Sequence, residues 1–146
     1  MLPDPNSSAS SGESSFQPPL VVLLCADLML TSSVSGAAMS AGVRFVSSSD
    51  VATAVTVLTS ATSRRLFVDL ATPGLTLPRL AESICADDLR NAVAYGPHVH
   101  ESLLATAREA GIGTVLSRGQ FSSRYPMLIQ ELLQSSGPLS SGGGPS

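Results

Sequence analysis

Short apolar runs that alternate with segments of helical periodicity are the feature that most limits what this chain can fold into. Each run is rich in Val, Leu or Ala and too short to form a helix, so each predicts a strand. A continuous apolar run, without polar alternation, is typical of a strand that is buried on both faces of a parallel sheet. The predicted strands cover residues 20–25, 43–46, 66–68, 92–95 and 114–116.

Between these runs, apolar residues recur every three or four positions, which predicts amphipathic helices. Ser49 or Asp50 is placed to cap the second helix, and Gly111 follows the fourth helix at the position where a left-handed residue usually ends one. Five strand–helix units predict a doubly wound α/β sheet with helices on both faces and right-handed crossovers. The predicted helices cover residues 30–41, 50–58, 77–86, 103–110 and 125–133.

The two ends of the chain differ in composition from its middle. Residues 1–18 consist mostly of Ser, Pro, Asn, Gly and acidic residues, and Leu139 is the only apolar residue among the Ser, Gly and Pro of 135–146. Such segments bury too little apolar surface to offset the entropy lost on ordering. We therefore predict one folded domain over 19–134 between two disordered tails.

Charge and apolar patterning exclude several classes of partner and location. The net charge is −3 and every cation is an arginine, so the chain lacks the basic surface that binds nucleic acids or anionic membranes. No basic residue precedes the first apolar run, and Asp27 ends that run after about seven residues, too short for a membrane span or a secretory signal. We expect a cytoplasmic protein in which Cys25 and Cys85 are reduced core thiols.

Polar residues follow the predicted strands where ligands bind in doubly wound folds, at the carboxyl edge of the sheet. The residues leaving the strands include Asp27, Asp69, His98 and Arg118. Two carboxylates and a guanidinium are therefore expected to lie at one edge of a chain that has only 13% charged residues.

The turn Asp69-Leu70-Ala71-Thr72-Pro73 after a buried strand resembles the phospho-acceptor turn of two-component receiver domains. The resemblance spans about 20–133 and rests on segment order, spacing and this Asp-x-x-x-Pro turn. It implies a flavodoxin-like fold, with five parallel strands in the order 2-1-3-4-5, and makes Asp69 the candidate phospho-acceptor. Asp27 and Asp69 would be the ligands of a weakly bound Mg²⁺.

The chain departs from the receiver pattern in ways that mark it as an atypical member. The acidic pair after the first strand is reduced to Ala26 and Asp27, Gly96 replaces the hydroxyl residue after the fourth strand, and Arg118 replaces the lysine after the fifth. An arginine fork is not equivalent to a compact ammonium. Arg118 is therefore expected either to pair with Asp69 as a structural counter-ion or to contact a phosphate.

These departures favour a stand-alone signalling domain that is not an enzyme and that binds a protein partner, a sensor kinase or another signalling protein, with impaired phosphorylation of Asp69. Two alternatives stay open: a working phospho-aspartate switch in a phosphorelay, and a flavodoxin-like domain that binds a small molecule or an anion. His98 and His100, beside Gly96, are candidate contacts for a partner or an anion, because two histidines without a third ligand make a poor metal site. Dinucleotide-binding, P-loop and serine-hydrolase motifs are absent from the sequence.

The predicted domain limits can be tested by limited proteolysis of the full chain. Both ends should be trimmed, leaving a core of about residues 20–134 whose melting temperature is nearly unchanged. A large loss of stability on removal of 1–18 would show that the first segment belongs to the fold.

Overall fold

The computed structural model describes residues 17–135, which form a five-stranded parallel sheet with helices on both faces. The remaining parts of the predicted tails, 1–16 and 136–146, lie outside the described residues. The strands are β1 (Leu20–Leu24), β2 (Arg44–Ser48), β3 (Arg64–Asp69), β4 (Val93–Gly96) and β5 (Thr114–Ser117). The helices are α1 (Leu28–Ala41), α2 (Val51–Leu58), α3 (Leu77–Ser83), α4 (Ala86–Asn91), α5 (Glu101–Glu109) and α6 (Arg118–Ser135).

The strand order is β2-β1-β3-β4-β5, and all neighbouring strands are parallel. This is the flavodoxin-like order that the receiver resemblance implied. All five strands present their carboxyl ends at the same edge, which brings the residues after β1, β3, β4 and β5 together. The order reverses between β1 and β3, and this is where a ligand site forms in such folds.

The sheet separates two hydrophobic cores. Alternate residues of β1 point to opposite faces, so Val22 and Leu24 enter one core while Val21 and Leu23 enter the other. All four side chains are fully buried, as the continuous apolar run predicted. The first core packs against α2, α3 and α5, and the second packs against α1 and α6.

Capping residues explain where two of the predicted helices begin and end. Asp50 caps α2 by accepting the N–H of Thr53 at 2.8 Å, which decides between the two predicted caps. Gly111 lies just past α5 with φ +103°, the left-handed conformation that was predicted for it.

Two predicted helices are wrong in extent. The predicted helix over 77–86 is two helices, because Ile84 and Cys85 adopt extended backbone between α3 and α4, and Ile84 is buried in the first core. The last helix begins at Arg118 rather than Tyr125. The sequence did not reveal this start, because the first turns carry a single buried side chain, Phe121, among exposed polar residues and so show no helical period.

The prediction that both cysteines lie in the core is correct for Cys25 and wrong for Cys85. Cys25 is buried, but Cys85 is exposed, and both are free thiols. Cys85 stands at the N-cap position of α4 and its sulfur lies 3.3 Å from Oδ2 of Asp88. No helix in residues 17–135 is both long enough and apolar enough to cross a membrane.

Val68 tests the two-sided burial of the central strands. Its side chain is fully buried in β3, next to β1 and β4. Val68→Ala should lower the free energy of unfolding by about 1–3 kcal/mol, through lost burial and a residual cavity. Urea denaturation of parent and variant measures this difference, and equal midpoints would contradict the packing.

Candidate functional site

Asp69 is the last residue of β3 and its carboxylate is buried, with 5% of the residue exposed. Its Oδ1 accepts the backbone N–H of Ala71 at 2.8 Å, and its Oδ2 lies 3.6 Å from the thiol of Cys25. The turn that follows is fixed by Thr72, whose hydroxyl donates to the Asp69 carbonyl at 2.7 Å and lies 3.3 Å from the Leu24 carbonyl. Asp69 is thus held by its own turn and by β1.

Cys25 is the residue that β1 places beside Asp69. The parallel register pairs Leu24 with Val68, so the next position of each chain brings Cys25 opposite Asp69. The sulfur accepts the backbone N–H of Asp27 at 3.2 Å. The thiol can in turn donate a hydrogen bond to the charged carboxylate of Asp69. A thiol therefore lies between the two carboxylate residues at this edge.

Tyr95 continues this hydrogen-bond chain into the core. Its hydroxyl donates to the Cys25 sulfur at 3.3 Å, and its ring stacks on Phe121 with centroids 4.1 Å apart. Burial, followed by the bond to Cys25, raises the pKa of Tyr95 far above its ordinary range, so the hydroxyl keeps its proton. The chain Tyr95–Cys25–Asp69 thereby links the candidate acceptor to the first turns of α6.

Asp27 has two roles that use both of its carboxylate oxygens. Oδ1 caps α1 by accepting the N–H groups of Met29 at 2.9 Å and Leu30 at 3.2 Å. Oδ2 accepts a hydrogen bond from Arg118, the first residue of α6, in an ion pair. The expectation that Arg118 pairs with Asp69 is therefore wrong, because capping of α1 turns Asp27 toward Arg118 while the Ala71 and Cys25 contacts hold Asp69.

The pKa of Asp27 lies below its ordinary value of 3.8. The N–H of Leu30 is the largest cause, and Arg118 and the N–H of Met29 act in the same direction against partial desolvation. The ionised carboxylate is therefore the form that this edge of the sheet stabilises.

The donor set at this edge offers Mg²⁺ few oxygen ligands. Magnesium needs near-octahedral oxygen coordination, and the carboxylates of Asp27 and Asp69 each already accept hydrogen bonds from the chain itself. The neighbour of Asp69 on β1 is a thiol, which prefers softer metals. In the described part of the chain, no group of three or more His, Cys, Asp and Glu side chains could hold a metal ion.

Gly96 ends β4 in a buried position without a hydroxyl. A Cβ atom added at Gly96 would lie 3.5 Å from Cβ of Leu70 and 3.6 Å from Cδ2 of Leu104, in ordinary van der Waals contact. A Cβ would therefore fit at Gly96, against the apolar side chains that pack the β3–α3 turn on α5.

His98 and His100 lie on the exposed loop between β4 and α5. His100 occupies the N-cap position of α5 without a side-chain cap bond. His98 lines a groove of about 710 Å³ between α5 and the start of α6, together with Glu101, Ser102, Leu104, Ala105, Arg108, Ser117 and Gln120. Neither Asp27 nor Arg118 lines this groove, so the structure does not assemble His98 with them in one pocket.

Three residues of the site were not predicted from the sequence: Cys25 as a partner of Asp69, together with Thr72 and Tyr95. Cys25 resembles any buried strand residue in sequence, and only the register of β1 against β3 reveals its neighbour. The register pairs the first residue of β1 with the first residue of β3. The sequence analysis missed it because it placed the start of β3 at Leu66, whereas the strand begins at Arg64.

No protein-family model matches the sequence, and no curated protein matches it. Solved structures do resemble it. The beryllofluoride-activated NtrC4 receiver domain dimer matches with a TM-score of 0.63 and 14% identity, over 80% of this chain and 97% of that one. The chain has the fold of a receiver domain.

Two further structures agree. The receiver domain of NtrX from Brucella abortus has a TM-score of 0.62 and 18% identity, over 81% of this chain and 99% of that one. A putative response regulator from Chloroflexus aurantiacus has a TM-score of 0.61 and 13% identity, over 78% of this chain and 99% of that one. These matches show the fold, and the roles of Asp27, Asp69, Gly96, His98, His100 and Arg118 stay predictions.

The pKa of Asp27 tests the ion pair. Arg118→Ala should raise this pKa toward 3.8, incompletely because the Leu30 N–H remains, in an NMR titration of the side-chain carboxyl. The ionised Asp27 carboxylate stabilises the fold fully above its pKa in the unfolded chain, and this stabilisation is lost as the pH falls through the lower pKa of the folded chain. Because Arg118→Ala raises the folded pKa, acid unfolding of this variant should begin at a higher pH than that of the parent. Arg124→Ala, an exposed arginine of the same helix, is the matched control. An unchanged pKa in Arg118→Ala would contradict the pairing.

Proposed function

We propose that this chain is a signalling domain with the receiver fold that binds a protein partner and in which phosphorylation of Asp69 is impaired. The observation that carries the proposal is the ion pair between Arg118 and Asp27. A phospho-acceptor site needs a free carboxylate nucleophile and a divalent cation that offsets the charge of the phosphoryl oxygens. Here a guanidinium of the chain itself is the counter-ion of the neighbouring carboxylate.

The surroundings of Asp69 support the same conclusion. Its buried carboxylate already accepts an N–H from Ala71 and contacts the Cys25 thiol. Attack on a phosphoryl donor would turn the Asp69 carboxylate, of charge −1, into an acyl phosphate of charge about −2, so this buried position would have to accommodate one further negative charge. With Ala26 in place of one carboxylate of the acidic pair after β1, the metal that would share this charge has few oxygen ligands.

The packing around Gly96 supports a surface that does not respond to Asp69. A receiver switch needs a hydroxyl that turns toward the phosphoryl group and moves the loop after the fourth strand. Gly96 offers none, and the side chains next to it, Leu70 and Leu104, are apolar. We infer that the partner reads one constant conformation of the β4–α5 region, where His98 and His100 are exposed.

The kind of partner follows from charge. The net charge of −3 and the absence of lysine favour a protein over a nucleic acid or an anionic membrane. We propose a cytoplasmic signalling protein, such as a sensor kinase, as the partner. The working phospho-switch is the alternative, since Asp69 keeps its place at the end of β3.

Labelling by acetyl phosphate distinguishes these two functions. Intact-mass spectrometry of the parent with acetyl phosphate and Mg²⁺ should show little or no added phosphate. Arg118→Ala, which frees the Asp27 carboxylate, should bind Mg²⁺ more tightly and label faster than the parent, whereas Arg124→Ala should behave as the parent does. Stoichiometric labelling of the parent within minutes, dependent on Mg²⁺ and absent from Asp69→Asn, would overturn impaired phosphorylation in favour of the phospho-switch.

A further inference from the structure

The thiol of Cys25 lies among four polar groups, and their chemistry decides where its proton points. The sulfur accepts the N–H of Asp27 at 3.2 Å and the hydroxyl of Tyr95 at 3.3 Å. Two acceptors lie within reach of the thiol proton: Oδ2 of Asp69 at 3.6 Å and the carbonyl oxygen of Asp27 at 3.8 Å. The carboxylate is the nearer of the two and carries a charge, so the thiol donates to Asp69.

The two oxygens of Asp69 are held in different ways. Oδ1 accepts the N–H of Ala71 at 2.8 Å, inside a turn that the Thr72 hydroxyl also closes. Within residues 17–135, the Cys25 thiol is the donor to Oδ2. A thiol is a weak donor that can rotate, whereas the backbone N–H is fixed by the turn. Oδ2 is therefore the oxygen whose hydrogen bonding depends on the direction of one side chain.

Tyr95 is fixed in the position from which it binds the sulfur. Its side chain is fully buried in the second core, and its ring stacks on Phe121 with an angle of 10° between the ring planes. Phe121 in turn meets Phe67 edge to face, with centroids 5.3 Å apart. Such close packing leaves the ring little freedom, so the hydroxyl reaches the sulfur from one constant direction.

We propose that Tyr95 is a positioning residue for Asp69 and acts through Cys25. The Tyr95 hydroxyl occupies a lone pair of the sulfur and so directs the thiol proton toward Oδ2. A hydrogen bond that the sulfur accepts also strengthens the one that its proton donates, which withdraws electron density from Oδ2 and makes it a weaker nucleophile. The inference rests on the proposed function, in which Asp69 is the residue that phosphorylation would modify, and adds a cause of impairment separate from Arg118.

The rate at which acetyl phosphate labels Asp69 in the full chain tests this role. Labelling transfers the phosphoryl group to Asp69 with acetate as the leaving group, and the Arg118→Ala background is used because labelling is expected to be measurable there. Tyr95→Phe removes the hydroxyl and keeps the ring on Phe121, so labelling should become about three- to tenfold faster, as expected for one hydrogen bond to the nucleophile. Tyr125→Phe, at the other tyrosine of the chain, is the matched control and should leave the rate unchanged.

Variants of Cys25 separate positioning from a general loosening of the fold. Cys25→Ala should speed labelling at least as much as Tyr95→Phe does, and the double variant should be no faster than Cys25→Ala alone, because Tyr95 acts only through the sulfur. Cys25→Ser restores a donor and should label more slowly than Cys25→Ala. Additive effects of the two changes, or an unchanged rate in Tyr95→Phe, would overturn the inference. Circular dichroism checks that each variant is folded.

The S–H stretching band of Cys25 gives a readout that does not depend on labelling. In a Cys85→Ser chain Cys25 is the only thiol, and its infrared band should lie at the low frequency of a hydrogen-bonded thiol. Tyr95→Phe and Asp69→Ala should each move the band to higher frequency, whereas Tyr125→Phe should not. A band that stays in place in Tyr95→Phe would overturn the role of Tyr95 whatever the labelling rates are. Rapid labelling of the parent together with a shifted band would contradict impaired phosphorylation and support the positioning role.

Discussion

The parallel pairing of β1 with β3 is the constraint on which the rest of the structure depends. All five residues of β1 are at most 2% exposed, so the strand can lie only at the centre of the sheet, covered on both faces. Its register against β3 sets Cys25 beside Asp69, and Thr72 then closes the turn after Asp69 against Leu24. Burial of the apolar strand β1 thus determines how the polar residues are arranged at the carboxyl edge of the sheet.

The fold followed from the sequence because its main signals are local. Continuous apolar runs such as 20–25 identify buried strands, and caps such as Asp50 and Gly111 mark helix ends. Local signals failed where tertiary packing decides: burial of Ile84 splits one helix into two, and α6 begins seven residues before its apolar period is visible. The edge residues Asp27, Asp69 and Arg118 were predicted because strand ends are readable, but their partners depend on side-chain direction.

The ion pair of Arg118 illustrates why partners escape sequence reasoning. Asp27 and Asp69 are both aspartates at the carboxyl ends of strands, yet Asp27 caps a helix while Asp69 binds within its own turn. The guanidinium therefore meets Asp27. The pair is partly exposed and contributes little to folding stability; its importance is that it supplies a permanent positive charge at the carboxyl edge. This charge is the basis of our proposal that the site binds a divalent cation only weakly.

Titration of the isotope-labelled chain with beryllofluoride and Mg²⁺, followed by amide NMR shifts, tests this account most directly. Beryllofluoride binds an aspartate only where the carboxylate and a divalent cation together accept a phosphoryl-like group. The account predicts that the amides of Ala71 and Gly96 do not shift in the parent. Saturable shifts at both positions, lost in Asp69→Asn, would show that Asp69 is a competent acceptor and would contradict the account.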